Sequence, residues 1–365
     1  MVSGTSGLKT VMYVVVSAFF SIAGLIFAAE VLVPLSIAIL LFVLVTAIVD
    51  RVSDLHIGSR RIPGLIAHLS ALCLVLFGLW IMVSIFAAQA GSVSEAVPRY
   101  EARFDSILTR VVTLVGDQNF EAAKSALADL EIAAFASGAI SSAGGFLSGL
   151  LLVLLYIPFM MVERRPMRQK LEIAFPEPDV RARVQRIGDG VSLGLQRYVG
   201  IKTSVSILTG VGSYCFMKPV GLDFAETWAV LIFMLNFIPT LGSLIGVLIP
   251  SIVALVQFES MTPFLVIILG CGVVQFGIGN ILEPALTGKS LNLSPLMVIL
   301  ALTFWTAIWG IAGAFLSVPI TVCLLIVLSH MKSTRVLAIL MSGDGRLGGE
   351  DPPPSDDIGA EEAQA

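Results

Sequence analysis

The chain has 365 residues, of which 56% are hydrophobic and 13% are charged, and its formal net charge is −4. Soluble domains carry about 25% charged residues, so this composition excludes an ordinary soluble protein. The mean hydropathy of +0.94 and several uncharged runs of span length predict an all-α protein that crosses a membrane several times. The alternating ten-residue segments typical of β-barrels are absent.

Changes in composition along the chain divide it into apolar spans and polar or charged segments. The first two spans, 11–29 and 31–49, are expected to meet in a turn at Glu30, and Pro98 is expected to begin the first of two helices in a charged insert. The predicted regions are three spans in 1–90, a helical insert in 91–138, a fourth span and basic helical segment in 139–202, a C-terminal region with two broken segments in 203–330, and a disordered acidic tail in 331–365.

The distribution of Lys and Arg predicts the orientation of these regions. The segment 163–202 holds nine basic residues, whereas the insert 91–138 holds four basic and seven acidic residues. Basic loops remain on the cytoplasmic side of a membrane. We therefore expect the insert to face outward and both termini to face the cytoplasm.

Two uncharged runs, 227–256 and 296–328, are too long for one ordinary span, because as straight helices they would measure about 45 and 50 Å. Each run is either a tilted, kinked span or a helical hairpin that enters and leaves on one side. Only topologies in which both runs have the same nature keep the basic residues near 332–335 in the cytoplasm. Eight spans, or six spans plus two hairpins, satisfy this condition.

The first run contains Asn236, Pro239, Thr240 and Gly242, where Pro and Gly favour a break. Broken segments in a membrane often surround a substrate site. An unwound tip would offer the Asn amide and the Thr hydroxyl to a polar solute. The alternative is a structural kink, in which Asn236 bonds to the freed carbonyls.

The second run contains Trp309, Gly310 and Gly313 near its middle. Glycine permits close backbone approach, and the indole offers a stacking face for a solute. Packing of helices through small residues is the alternative, and the aromatic side chains could instead form an interface belt.

Between the two runs lies a span at about 264–281, with Gln275 and Asn280 as candidate solute contacts and Glu283 at its end. Carboxylates at membrane depth are rare and tend to be functional, so Glu283 is a candidate for binding a proton or sodium. It could equally begin a turn with Pro284 or pair with Lys289.

Three blocks, "NFIPTLGSLIGVLIP", "GNILEPALTGKSLNLSPLMVIL" and "FWTAIWGIAGAFLSVPITV", resemble the signature segments of the autoinducer-2 exporter family of bacterial membrane proteins. The resemblance implies a homo-pentamer in the cytoplasmic membrane, two hairpins that hold the solute, and movement by an elevator mechanism. Some members of the family are described as sodium/proton antiporters. A tyrosine common in the family is replaced here by Thr240.

These observations favour a secondary exporter of a small polar molecule, such as an autoinducer-2-like signal. A sodium/proton antiporter and a non-transport membrane scaffold are the alternatives. The sequence has no phosphate-binding G-x-x-x-x-G-K-[ST] motif and no metal-ligand spacing. Because it also lacks an evident nucleophile–base pair, we expect neither an enzyme nor a cofactor, and we expect no nucleic-acid partner.

Overall fold

The computed structural model describes residues 4–54, 56–57, 60–115, 132–287 and 292–347. The second helix of the insert, Lys289 and residues 348–365 of the acidic tail lie outside these residues. The prediction of disorder from residue 331 onward was wrong for 335–341, which form a short helix. In the described part, two short strands, β1 (His56–Ile57) and β2 (Arg60–Arg61), pair antiparallel. The helices there are α1 (Gly4–Phe27), α2 (Ala29–Ser53), α3 (Gly64–Val115), α4 (Ile132–Ala174), α5 (Pro178–Val220), α6 (Ala225–Leu235), α7 (Leu241–Gln257), α8 (Met261–Gly277), a π-helical turn (Ile278–Leu282), α9 (Glu283–Thr287), α10 (Pro295–Ser329) and α11 (Arg335–Met341).

Four helical segments of the described chain are long and apolar enough to cross a membrane: Ala29–Ser53, Gly64–Gln89, Met261–Thr287 and Pro295–Ser329. Large apolar side chains on the outer helices are exposed, as Phe19 and Leu151 show at 68% and 71%. A soluble protein would cover such a surface, whereas lipid solvates it. The prediction of a multi-pass helical membrane protein is therefore confirmed.

Two expected helix boundaries were wrong. The break between the first two helices lies at Ala28, and Glu30 lies in the first turn of α2. Backbone bonds continue on both sides of Ala28, so only one residue interrupts the helix. Position 98 does not begin a new helix, because α3 continues through it to Val115. A proline removes only one helical donor and bends a helix without always ending it.

The central packing joins α2, α5 and α10. Leu40 and Val43 of α2 lie against Tyr198 of α5 and Leu316 and Val322 of α10 in one buried cluster. On its other side, α2 packs against α3 and α4 through separate apolar clusters. Helix α2 thus connects the N-terminal helices to the C-terminal region, where the two long runs lie.

The first long run folds back on itself as hairpin 1, formed by α6 and α7 around a tip at 236–240. A Cβ atom added to Gly242 would lie 1.8 Å from the backbone oxygen of Leu235. One turn farther along, Gly246 faces the side chain of Ile232. Because later residues of α7 meet earlier residues of α6, the two helices are antiparallel and in close contact.

The second run forms hairpin 2, whose arms are the two halves of α10 and whose tip is at 309–313. Gly310 has φ 59° and ψ −139°, which interrupts the helix. A Cβ atom at Gly313 would lie 1.9 Å from the backbone oxygen of Trp305. Eight residues of straight helix would separate these positions by about 12 Å. Both long runs are therefore hairpins, which excludes the alternative of eight plain spans.

Candidate functional site

The tips of the two hairpins meet. The rings of Phe237 and Phe315 lie with their centroids 4.7 Å apart. Beside them, Ile238 packs with Leu302 and Ala314 in a small buried cluster. The structure thus brings together the two breaks predicted from the sequence, although about 70 residues separate them along the chain.

A buried network of uncharged polar side chains lies behind the hairpin 1 tip. The amide nitrogen of Asn236 donates to the Ser206 hydroxyl at 3.0 Å. The amide nitrogen of Gln275 lies 3.2 Å from the Asn236 oxygen and 2.8 Å from the Ser243 hydroxyl. We call these four residues the amide network. It joins helices α5, α7 and α8 to the tip, and two of its members were candidates from the sequence.

The network residue Ser206 was missed by the sequence analysis, although α5 carries a signal that could have identified it. Lys202, Ser206, Thr209 and Ser213 follow one another at intervals of four, three and four residues, which places them on one face of a helix. All four are buried. A polar stripe of this kind in an otherwise apolar helix indicates an internal polar interface.

Glu283 pairs with Lys202 of α5, with 2.5 Å between the Oε1 and Nζ atoms. The side chains are 27% and 11% exposed, so the pair is largely shielded from solvent. The sequence analysis considered Lys289 as the partner of Glu283 and did not consider Lys202, which lies 81 residues away along the chain.

The other candidates have different surroundings. Thr240 is exposed at the hairpin 1 tip and has φ 60°, a conformation unusual for a β-branched residue. The indole N–H of Trp309 donates to the backbone oxygen of Leu25 in α1 at 3.0 Å. Asn280 is exposed, and its amide donates to the Phe276 carbonyl of its own helix. Asn280 is therefore outside the amide network.

Three further candidates shape the backbone of the tips. Pro239 is partly buried in the turn of hairpin 1, and its carbonyl accepts from the Leu241 N–H. Gly242 and Gly313 each follow a tip and permit the close approach of two hairpin arms. Their equivalent positions give the two hairpins a similar construction.

The base of hairpin 1 is held together by Gln257, whose side chain accepts from the Asp223 N–H and donates to the Gly221 carbonyl, both at 2.8 Å. The extension of α3 beyond its apolar part also reaches this base. Tyr100 donates to the Asp223 carboxylate at 3.0 Å, and Arg103 lies 3.3 Å from Glu259. Burial, followed by the bond to Asp223, raises the pKa of Tyr100 well above its ordinary value, so the phenol remains a donor even in alkaline solution.

The C-terminal segment holds the base of hairpin 2. Ser294 caps the first arm by accepting from the Met297 N–H, as a serine does at a helix start. Its own N–H donates to the Met341 carbonyl at 3.0 Å, and the Gly343 N–H donates to the Asn292 carbonyl at 3.0 Å. We call residues 341–346 the C-terminal strap, because they pair with the chain that enters hairpin 2.

Among the residues described, no group of three or more His, Cys, Asp or Glu side chains could hold a metal ion. The chemical groups present at the tips and behind them are amides, hydroxyls and one ion pair. Such groups can bind a polar solute by hydrogen bonds or exchange a proton.

Comparison with known proteins agrees with this architecture. The model of the AI-2E family transporter matches residues 15–333. A candidate transport protein of Haemophilus influenzae is 28% identical over 327 residues, which cover 88% of this chain and 92% of the relative. The AI-2 transport protein TqsA of Escherichia coli K12 is 27% identical over 326 residues, with the same two coverages. Because the family model spans most of the chain, the protein belongs to the AI-2E transporter family.

Proposed function

We propose that this protein is a secondary transporter that exports a small polar organic solute, such as an autoinducer-2-like signal. The observation that supports this function is the meeting of two hairpin tips beside the buried amide network. Irregular backbone at membrane depth is tolerated where protein or a cavity surrounds it, and paired breaks of this kind accompany solute sites in transporters. The name of the Escherichia coli relative suggests the solute class.

The amide network favours an uncharged solute rich in hydroxyl or carbonyl groups. Asn236 and Gln275 supply both donors and acceptors, and Ser206 and Ser243 supply hydroxyls. Opening the network for a solute would replace these internal bonds by bonds to the solute. A charged solute would need a counter-charge, and the nearby Lys202–Glu283 pair is neutral overall.

The movement that we propose is of the elevator type, with the hairpins travelling as one unit against the N-terminal helices. In support, the hairpins contact each other at their tips, and Trp309 of hairpin 2 is joined to α1 through one hydrogen bond. The second arm of hairpin 2 also packs against α2 through apolar side chains, and these contacts would slide during the movement. Chemical cross-linking between Leu25→Cys and Trp309→Cys, in a chain without its four native cysteines, should stop solute flux. Reduction of a cleavable cross-link should restore the flux, and undiminished flux in the cross-linked protein would contradict the movement.

We further propose that the protein is a homo-oligomer, with five subunits implied by the family resemblance, in the bacterial cytoplasmic membrane. Both termini are expected in the cytoplasm. Labelling of single cysteines placed at 257–262 tests the orientation, because the two-hairpin topology with a cytoplasmic N-terminus places this segment outside. Labelling from the cytoplasmic side alone would contradict that orientation.

Flux of autoinducer-2 through the purified full-length protein in proteoliposomes tests the function. Gln275→Ala should strongly reduce the flux, whereas Asn280→Ala should leave it near the wild-type value. The two residues both carry amide side chains and lie on neighbouring helical turns, but only Gln275 belongs to the amide network. Equal effects of the two changes would exclude the network as the solute site.

The same proteoliposomes distinguish the alternatives. A sodium/proton antiporter is favoured by one observation, the shielded Lys202–Glu283 pair, and would exchange ions without any organic solute. If such exchange occurs and is lost in Glu283→Gln, the antiporter becomes the better explanation. If folded protein moves neither solute nor ions, the scaffold alternative gains support.

A further inference from the structure

The binding of an uncharged solute does not require the Lys202–Glu283 pair. Placing this pair away from water costs free energy. Lys202 is the only charged residue among the buried residues that the structure describes. Removing an ion pair from water usually costs more than the pair gains by attraction, and an apolar pair of similar size would often be more stable. Ionisable groups at membrane depth are therefore a sign of function.

The surroundings of Lys202 contain a second unexplained polar group. Tyr198 lies one turn before Lys202 on α5, and its buried hydroxyl has no hydrogen-bond partner among the residues described. Ser206, a member of the amide network, lies one turn after Lys202. Side chains four residues apart on a helix are neighbours, so these two hydroxyl groups belong to the side chains next to Lys202 on this face of α5.

We propose that Glu283 is the proton-binding group of the transporter and that Lys202 is its tethered counter-cation, which links proton binding to the amide network. In the structure, the Lys202 ammonium group and the Glu283 carboxylate form a neutral pair. An incoming proton bonds to the carboxylate and converts it to a carboxylic acid, and the pair acquires one positive charge. Release of that proton on the other side of the membrane restores the pair. This inference rests on the proposed solute transport.

The coupling follows from what the ammonium group must do when Glu283 is protonated. A buried cation needs new acceptors, and the hydroxyl groups one turn before and one turn after Lys202 on α5, those of Tyr198 and Ser206, are the candidates that we propose. A bond from Lys202 to Ser206 would share the hydroxyl oxygen that already accepts from Asn236, and it would weaken that bond by drawing on the same oxygen. Proton binding therefore loosens the amide network, while solute binding to the network favours one state of the pair.

The chemistry of the pair favours a proton over a metal cation. Hard metal cations are held by several oxygen ligands, whereas the described contact of the Glu283 carboxylate is a cationic ammonium group. The π-helical turn that precedes Glu283, Ile278–Leu282, contains no second acidic residue. A proton needs only one carboxylate oxygen, and the carboxylate can receive it without rebuilding its surroundings.

The decisive experiment compares wild-type protein with the double variant Lys202→Met, Glu283→Gln in proteoliposomes that contain autoinducer-2. With one proton exchanged for each solute, a gradient of about one pH unit should support about a tenfold solute gradient in the wild type. The double variant has no buried charge left unpaired, so it should fold and move the solute down its own gradient. It should not respond to the pH gradient.

A structural role of the pair predicts a different result, because a neutral replacement would then keep the wild-type response to pH. The proposal would be overturned if the double variant kept the wild-type response to the pH gradient. It would also be overturned if solute flux through the wild type did not depend on a pH gradient. Tyr198→Phe gives a finer test. It removes an acceptor that the released ammonium group needs, so the midpoint of the pH profile should move to lower pH, and an unchanged midpoint would contradict this role of Tyr198.

Failure of the proposed function is distinguishable from failure of this inference. If the wild type moves no autoinducer-2, the function fails, and infrared spectroscopy of the purified protein still examines the proton site. Acidification should produce a carboxylic-acid band that is missing in Glu283→Gln. Absence of any band that depends on Glu283 would refute proton binding at this residue.

Discussion

Replacement of Gly242 by alanine tests the hairpin itself, because a hairpin and a straight helix predict effects of opposite sign on stability. In hairpin 1, the added Cβ atom would lie 1.8 Å from the Leu235 oxygen and 2.5 Å from its carbonyl carbon. These are backbone atoms, so no side chain can rotate away, and the two arms must separate by more than about 1 Å. Overpacking of this kind costs about 1–3 kcal/mol, and occasionally more.

In a single straight helix, the same change would stabilise the protein by about 0.8–1 kcal/mol, because alanine favours helix over glycine. Thermal unfolding of the purified protein in detergent measures the difference. Gly272→Ala in α8 is the matched control, since a Cβ atom there meets nothing within 4 Å. We expect Gly242→Ala to unfold at lower temperature than the wild type and to lose solute flux. A Gly242→Ala protein as stable as the Gly272→Ala protein would refute the close contact of the hairpin arms.

The remaining predictions concern the tips and the base of hairpin 1. Gly310→Ala should destabilise the protein by about 1–3 kcal/mol, because its φ and ψ angles lie in a region that is used almost only by glycine. Thr240→Gly should instead stabilise the protein by about 1 kcal/mol by relieving strain, and unfolding temperatures that shift in the same direction would contradict these two expectations. Trp309→Phe should lower the free energy of unfolding by about 1 kcal/mol, because the hydrogen bond to α1 is lost. Unchanged stability would show that this bond contributes nothing. The raised pKa of Tyr100 means that its contribution to stability is complete below about pH 10, the unfolded value, and is lost as the pH rises further. The stability of Tyr100→Phe should therefore fall less than that of the wild type above this pH. If the free energy of unfolding falls equally with pH in both proteins, the Tyr100 hydroxyl is not the cause of the loss.

The sequence predicted the breaks in the two long runs but not how the chain passes through them. Pro239, Gly242, Gly310 and Gly313 indicated where a continuous helix should end. The requirement for a cytoplasmic C-terminus showed that both runs had the same nature, and it could not choose between spans and hairpins. That choice depends on contacts between the arms, such as the approach of Gly242 to Leu235.

The candidate site was predicted in part for a similar reason. Asn236 and Gln275 are polar residues in apolar runs, so residue type alone identified them as candidate solute contacts. Their hydroxyl partners are small and common in membrane helices, and only the periodicity of α5 distinguishes Ser206. The partner of Glu283 was missed because pairing between residues 81 positions apart is decided by packing of helices. Asn280 has the same amide as Gln275 but lies on the exposed face, which its residue type does not reveal.

The C-terminal strap has a consequence for how the protein is made. Residues 341–346 bond to the chain that enters hairpin 2, and Met341 packs in a cluster with Leu325 of the second arm and Leu293 before the first. A ribosome completes the strap only after both arms have been synthesised. Hairpin 2 can therefore enter the membrane with its base still open, and the base closes only after both arms and the strap have been synthesised.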